Sequence, residues 1–252
     1  MKKYICTSKE EENFLKSYDA SKYERPSVTA DIVIFTLDDD DELNLLLINR
    51  GGYPYKDKWA IPGGFLEVGK ESIDEAARRE LKEETNIDNV FLNQLYTFGD
   101  PDRDPRTVVI SVAYMALVPK SGLDIRAGDD AQAASLFKIT YDVNGIIFQS
   151  GNIVITESDL AFDHADIIKM AINRLRNRID YETDAFNLLR DKKSFTISEL
   201  KKIYETIKNR PLDLPNFRKI FLREYVSKGR VTELDGTVAR KGKPAKLYSF
   251  VE

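Results

Sequence analysis

The stretch PGGFLEVGKESIDEAARRELKEETNI, Pro62 to Ile87, decides how the rest of the chain is read. Gly63 and Gly64 let the backbone turn tightly and come close to a ligand. Behind them, the spacing of Ile73, Ala77 and Leu81 predicts a helix with one apolar stripe. Glu80, Glu83 and Glu84 fall at i, i+3 and i+4, on one side of that helix and a turn apart. Like charges so close repel unless something compensates. A hard divalent cation, Mg2+ or Mn2+, held by oxygen ligands is the obvious compensation, and the carbonyl of Gly64 is a further candidate metal contact. A solvated acidic face is the ordinary reading of clustered glutamates. Here the preceding glycines, Arg79 and the glutamate spacing all favour a site.

Glu71, seven residues, Arg79-Glu80-Leu81, Lys82, Glu83-Glu84, Thr85 and Asn86-Ile87 follow in order. This arrangement resembles the Nudix box, the signature of hydrolases that cleave a nucleoside diphosphate linked to another moiety. There are two departures. Six residues instead of five separate Gly64 from Glu71, and Asn86 replaces the closing glycine. Asparagine also tolerates the left-handed backbone, so the second change is mild. The resemblance implies an α/β/α sandwich with a mixed sheet. It assigns catalytic roles to Glu71, Arg79, Glu80, Glu83 and Glu84, with Glu80, Glu83 and Glu84 holding the metal and Arg79 orienting the glutamates by ion pairing.

Around the box, residues 27–37 are rich in β-branched side chains and predict a strand, 38–42 an acidic hairpin tip, and 43–49 a central returning strand. Trp59 reads as a core anchor. The broken loop from Arg50 to Lys58 offers Arg50 and Tyr53 as ligand contacts, with Tyr55 a second aromatic able to stack on a base. Residues 90–98 and 107–118 predict strands, and 139–155 further short strands. Between the first two lies FGDPDRDPR, Phe98 to Arg106, made of turn formers. Its Arg103 and Arg106 have the guanidinium fork that suits phosphate oxygens. The segment resembles the Nudix branch that handles ADP-ribose, and Ala127-Gly-Asp-Asp-Ala resembles the loop crossing that branch's active site. By this resemblance, Asp129 or Asp130 is a candidate for orienting water.

Cys6 is the only cysteine, which excludes a disulfide framework and a thiolate metal site and suits a reducing, cytoplasmic setting. The first residues have no apolar run of a signal peptide, and no segment has the length of apolar sequence needed to span a bilayer. Charge is distributed unevenly. Residues 191–252 hold 15 Lys and Arg against 8 Asp and Glu, a balance of +7, so residues 1–190 carry −11 of the net −4. An acidic front and a basic rear predict two units with different partners, with the first over 1–158 and a linker helix plus second unit over 159–252.

Asp163 reads as the N-cap of a helix through Ile167, Ile168, Ala171, Leu175 and Ile179. His164, the only histidine, reads as a helix-start or packing residue. Beyond it the pattern is a helix capped by Thr196, a turn at 209–215, a second helix from Asn216, and two strands around a basic tip. Phe217, Ile220, Phe221 and Tyr225 are expected to face inward. That order describes a winged helix-turn-helix. The candidate DNA contacts are Asn216, Arg218, Lys219 and Arg223 on the second helix, and Arg240, Lys241, Lys243 and Lys246 on the wing.

A Nudix domain followed by a winged helix resembles the Nudix-related transcriptional regulator family. The resemblance implies a cytoplasmic homodimer that binds operator DNA and senses ADP-ribose or a related sugar nucleotide or sugar metabolite, with or without retained pyrophosphatase activity. The competing expectation is an ADP-ribose-type hydrolase whose rear domain serves dimerisation only.

Overall fold

The computed structural model of the protein describes residues 4–86, 90, 92–119, 123, 131–239 and 244–251; the side chains of residues 84, 85, 131 and 132 lie outside that description. A short helix, α1 (Lys9–Ser17), capped by Ser8, buries none of its residues and leads into a mixed sheet. The sheet's main path is β5 (Leu92–Phe98), β6 (Val109–Leu117), β1 (Ser27–Leu37), β2 (Leu43–Arg50), β7 (Ala131–Asp142), β8 (Gly145–Ser150) and β9 (Ile153–Thr156). β1 and β6 run parallel, and the other neighbours on this path pair antiparallel. Two short strands lie off the path: β3 (Trp59–Ala60) pairs with β2, and β4 (Gly63–Phe65) pairs with β1.

Side chains alternate across a strand, so β1 feeds two cores. Ala30, Ile32 and Ile34 meet Ala76, Ala77 and Leu81 of α2 (Ile73–Thr85) on one face. Val33, Phe35 and Leu37 share the other face with Ile167, Ile168, Ala171, Ile172 and Leu175 of α3 (His164–Arg178). The predicted α/β/α layering is therefore observed. Trp59 is buried edge-on against Phe137, with ring centroids 4.6 Å apart, as a core anchor should be. The Asp38–Glu42 segment is a hairpin tip with Asp41 in the left-handed region.

Beyond α3, the winged helix consists of α4 (Ile197–Lys208), α5 (Leu214–Phe221), β10 (Val231–Val238) and β11 (Ala245–Phe250). Thr196 and Glu199 form a reciprocal capping box on α4. Asp213 caps α5, and a π turn over 222–226 extends it. Phe217, Phe221 and Tyr225 are buried as expected, whereas Ile220 is exposed. The buried three recur every four residues, which leaves Ile220 on the flank of their stripe. α3 is no bare spacer. Its apolar face belongs to one continuous core that runs from the sheet into the winged helix. Among the described residues, no helix is long and apolar enough to cross a membrane.

At the turn between α3 and α4, the Asp184 carboxylate is buried, accepts one hydrogen bond from Asn93 Nδ2 at 3.2 Å, and is pushed above the usual carboxylate range by that burial. A raised folded-state pKa means that ionisation opposes folding. Stability is lost as pH rises from the unfolded value of about 3.9 through the raised one. Asp184→Asn is therefore expected to raise the thermal midpoint at pH 7 and leave it unchanged near pH 3, as differential scanning fluorimetry across pH will report.

Candidate active site and nucleic-acid interface

α2 starts with a capping box between Ser72 and Glu75 and stops at Asn86, which takes the left-handed conformation (φ 55°) and donates its N–H to Lys82 O. Asparagine thus performs the terminating role expected of it. A turn at 67–70, with Gly69 left-handed, folds the chain back so that Glu71 Oε1 accepts the Glu67 N–H at 2.9 Å.

Arg79 is the hub of the glutamate cluster. Its Nε and Nη2 grip Glu71 at 3.1 and 2.9 Å, Nη1 donates to Glu80 at 2.6 Å and Glu83 at 3.4 Å, and Nη2 also reaches Phe65 O at 3.3 Å. The Arg79 hydrogen bonds, then the Glu67 N–H, hold Glu71 below the usual carboxylate range. Glu80 moves the other way, because burial outweighs its bond to Arg79. Glu71 is thus paired in both oxygens with the Arg79 guanidinium. Gly64, in register with Ala30, lies so close to Glu80 that a Cβ there would sit 2.7 Å from Cδ and overlap Oε1.

Among the described residues, no three His, Cys, Asp or Glu side chains are gathered to hold a metal, and the Glu84 side chain lies outside the description. Glu80 and Glu83, one turn apart at the Arg79 hub, still provide an all-oxygen donor set suited to a hard divalent cation. By donor chemistry, the residues fit such an ion.

A second group continues from this one. The Arg106 guanidinium lies 5.4 Å from the Phe65 ring and 5.9 Å from the Phe162 ring, and Arg50 lies 4.9 Å from Phe162. Tyr55 packs on Phe162 with centroids 4.7 Å apart. Asp104 aims Arg106 through bonds of 3.0 and 2.7 Å. Phe162 holds a left-handed backbone (φ 50°), unfavourable for an aromatic residue, while its neighbour Ala161 donates to Trp59 O.

One expected ligand contact needs correction. Arg103 is not available to a phosphate. Its side chain is 4% exposed, bonded twice to Asp163 at 2.9 and 2.6 Å, with Asp31 3.6 Å away. Burial requires a guanidinium to be paired, and Asp163 supplies the pair. That same bond draws the Asp163 side chain away from capping α3. Tyr53 is 83% exposed, while Tyr55 is the loop tyrosine that joins the cluster. Sequence reasoning missed Phe65 and Phe162. The nearest signal was the aromatic beside the glycine pair; nothing local marked Phe162. His164 is a buried packing residue whose Nδ1 accepts the Ile61 N–H at 3.1 Å, and burial lowers its pKa. Asp129 and Asp130 lie outside the described residues.

In the winged helix, Asn216, Arg218, Lys219 and Arg223 are exposed along α5 and its extension, with Arg223 bonded to Glu224 at 2.6 Å. Arg218 and Lys246 border a groove of about 490 Å³ between the start of α4, α5 and β11. Lys246 pairs across the strands with Glu233. Arg240, Lys241 and Lys243 lie outside the described residues.

The geometry agrees with what the chain is similar to. A NUDIX domain model matches residues 27–140, and an NrtR DNA-binding winged helix domain model matches residues 185–250. Nudix hydrolases generally use divalent metal ions. The ADPR responsive transcriptional repressor NtrR of Acinetobacter baylyi is 33% identical over 243 residues, covering 95% of this chain and 88% of that one. The crystal structure of Shewanella oneidensis NrtR complexed with a 27mer DNA superposes with a TM-score of 0.69 at 27% identity, over 89% of this chain and 93% of that one. The NUDIX domain of the same protein complexed with ADP ribose gives a TM-score of 0.53 at 29% identity, over 66% and 98%. The chain belongs to the NrtR family of Nudix-related transcriptional regulators.

Proposed function

We propose that the protein is a cytoplasmic, homodimeric transcriptional regulator. Its Nudix domain binds ADP-ribose or a closely related sugar nucleotide, and its winged helix binds operator DNA. The observation that carries this reading is the continuity of the front-half surface. Carboxylates around Arg79 form one pole, Arg106 lies beside Phe65, and Phe162, Tyr55 and Arg50 form the other pole. A diphosphate needs cationic groups and a bound divalent cation, and an adenine needs an aromatic face.

Glu80 and Glu83, with Glu84, would hold Mg2+ or Mn2+, which when bound neutralises the diphosphate and acidifies a coordinated water. The chain's own residues do the rest. Arg79 sets the carboxylates, Glu71 sets Arg79, Arg106 meets phosphate oxygens, and Phe162 with Tyr55 takes the base. Glu83, or Asp129 from its loop, is the candidate to take a proton. With these groups retained, slow hydrolysis of ADP-ribose to AMP and ribose 5-phosphate accompanies sensing. Glu83→Gln is expected to reduce Mg2+-dependent AMP release at least about 100-fold; unchanged release would remove the carboxylate from the mechanism.

On the DNA side, Arg218→Ala is expected to weaken operator binding and reduce the slope of log K against log salt by about 1. Calorimetry with ADP-ribose tests the front half: Arg106→Ala and Phe162→Ala should each weaken binding about tenfold. Wild-type protein that binds neither ADP-ribose nor duplex DNA would end this reading.

A further inference from the structure

α3 is tied at one end to both ligand-facing loops and at the other to the winged helix. At its start, Asp163 is gripped by Arg103, three residues before Arg106, and His164 accepts the N–H of Ile61, three residues before Gly64. Asp104, between Arg103 and Arg106, aims Arg106. Toward its other end, Arg176 Nε donates to Ile207 O of α4 at 3.1 Å, while Nη2 donates to the Tyr141 hydroxyl at 2.8 Å. Just past the helix, Asp180 accepts Lys208 at 2.5 Å. α4 passes the contact on: Tyr204 is hydrogen-bonded to Tyr225 at 2.6 Å and packs edge-on against Phe217 of α5. A 15-residue helix spans about 22 Å and moves as a unit.

We infer that α3 is the strut that transmits ligand occupancy to the DNA-binding helix, with Arg103 and Arg176 as the positioning residues at its two ends; the inference rests on the ADP-ribose reading above. A ligand that draws Arg106 or the 61–65 loop shifts the Asp163 and His164 tethers together, and the helix carries the shift to the end of α4. The hairpin tip offers a rival route, because Thr206 Oγ1 donates to Asp41 O at 2.7 Å. The two routes make different predictions.

The experiment measures operator DNA affinity of full-length protein with and without saturating ADP-ribose, together with ADP-ribose affinity without DNA. The ratio of the two DNA affinities is the coupling, typically about 5- to 150-fold in allosteric proteins. Arg176→Met and Asp163→Asn are expected to bring that ratio within about twofold of one. Each separate affinity should stay close to wild type in both variants, and in Arg176→Met the thermal midpoint as well, a pattern that simple unfolding does not produce; Asp163→Asn takes the charge partner from the buried Arg103 and is expected to lower the midpoint. Asp163→Asn leaves Arg103 facing Asp31, and Arg176→Met leaves no buried charge unpaired, so the second variant carries the test if the first folds poorly. Thr206→Val should keep the wild-type ratio. Full coupling in both strut variants, or loss of coupling in Thr206→Val alone, would overturn the inference. Wild-type protein that binds both ligands with a ratio of one would instead remove the ligand-responsive reading, and the strut with it.

Discussion

Gly63→Ala is expected to lower stability by about 3 kcal/mol, near the upper end for an added methyl group. A Cβ at this position would lie 2.6 Å from the Ala30 carbonyl oxygen and 2.8 Å from Asp31 Cα. Both are backbone atoms of β1, the strand that supports both cores, so no side-chain rotation relieves the overlap. The neighbouring change behaves differently. At Gly64 the obstacle is the Glu80 carboxylate, which can swing away. Gly64→Ala should therefore cost less stability but expel Glu80 from its place against the loop. Displacing a catalytic group by about 1 Å costs on the order of 100-fold in rate. Denaturant titration and AMP release together separate the two. Equal stability losses would show that the glycines serve one purpose.

The second large effect is expected for Arg79→Ala. Removing one partner of a fully buried ion pair costs about 3–5 kcal/mol. Arg79 and Glu71 are partly solvated while Glu80 is buried, which brings the expectation down to about 2 kcal/mol in EDTA. Without the guanidinium, the carboxylates repel one another, and a divalent cation is the natural replacement. Adding millimolar Mg2+ should close much of the gap between variant and wild type. A gap indifferent to metal would show that these carboxylates do not gather a cation.

What was legible in the sequence was what local rules control. β1 was expected over 27–37 and is observed at Ser27–Leu37, because β-branched residues and the turn beyond them mark it without help from the rest of the chain. The αL stop at Asn86 and the Thr196 cap likewise depend on residues within one turn. The order of elements in the winged helix was readable for the same reason. Arg103 was misjudged because its partner, Asp163, lies 60 residues away. A loop of turn formers predicts exposure, and only the tertiary fold buries that arginine. Phe162 and Tyr55 meet across a still longer separation, so no window of sequence joins them. Ile220 satisfied the helical period on paper, yet the stripe 217, 221, 225 took the inward face.

The most direct test of the account is one titration. ADP-ribose is added, with Mg2+ present, to a preformed complex of the protein with operator DNA, and DNA release and AMP are followed together. DNA affinity is expected to change in step with ADP-ribose occupancy, with AMP appearing more slowly. DNA binding that stays constant through saturation with ADP-ribose would contradict it.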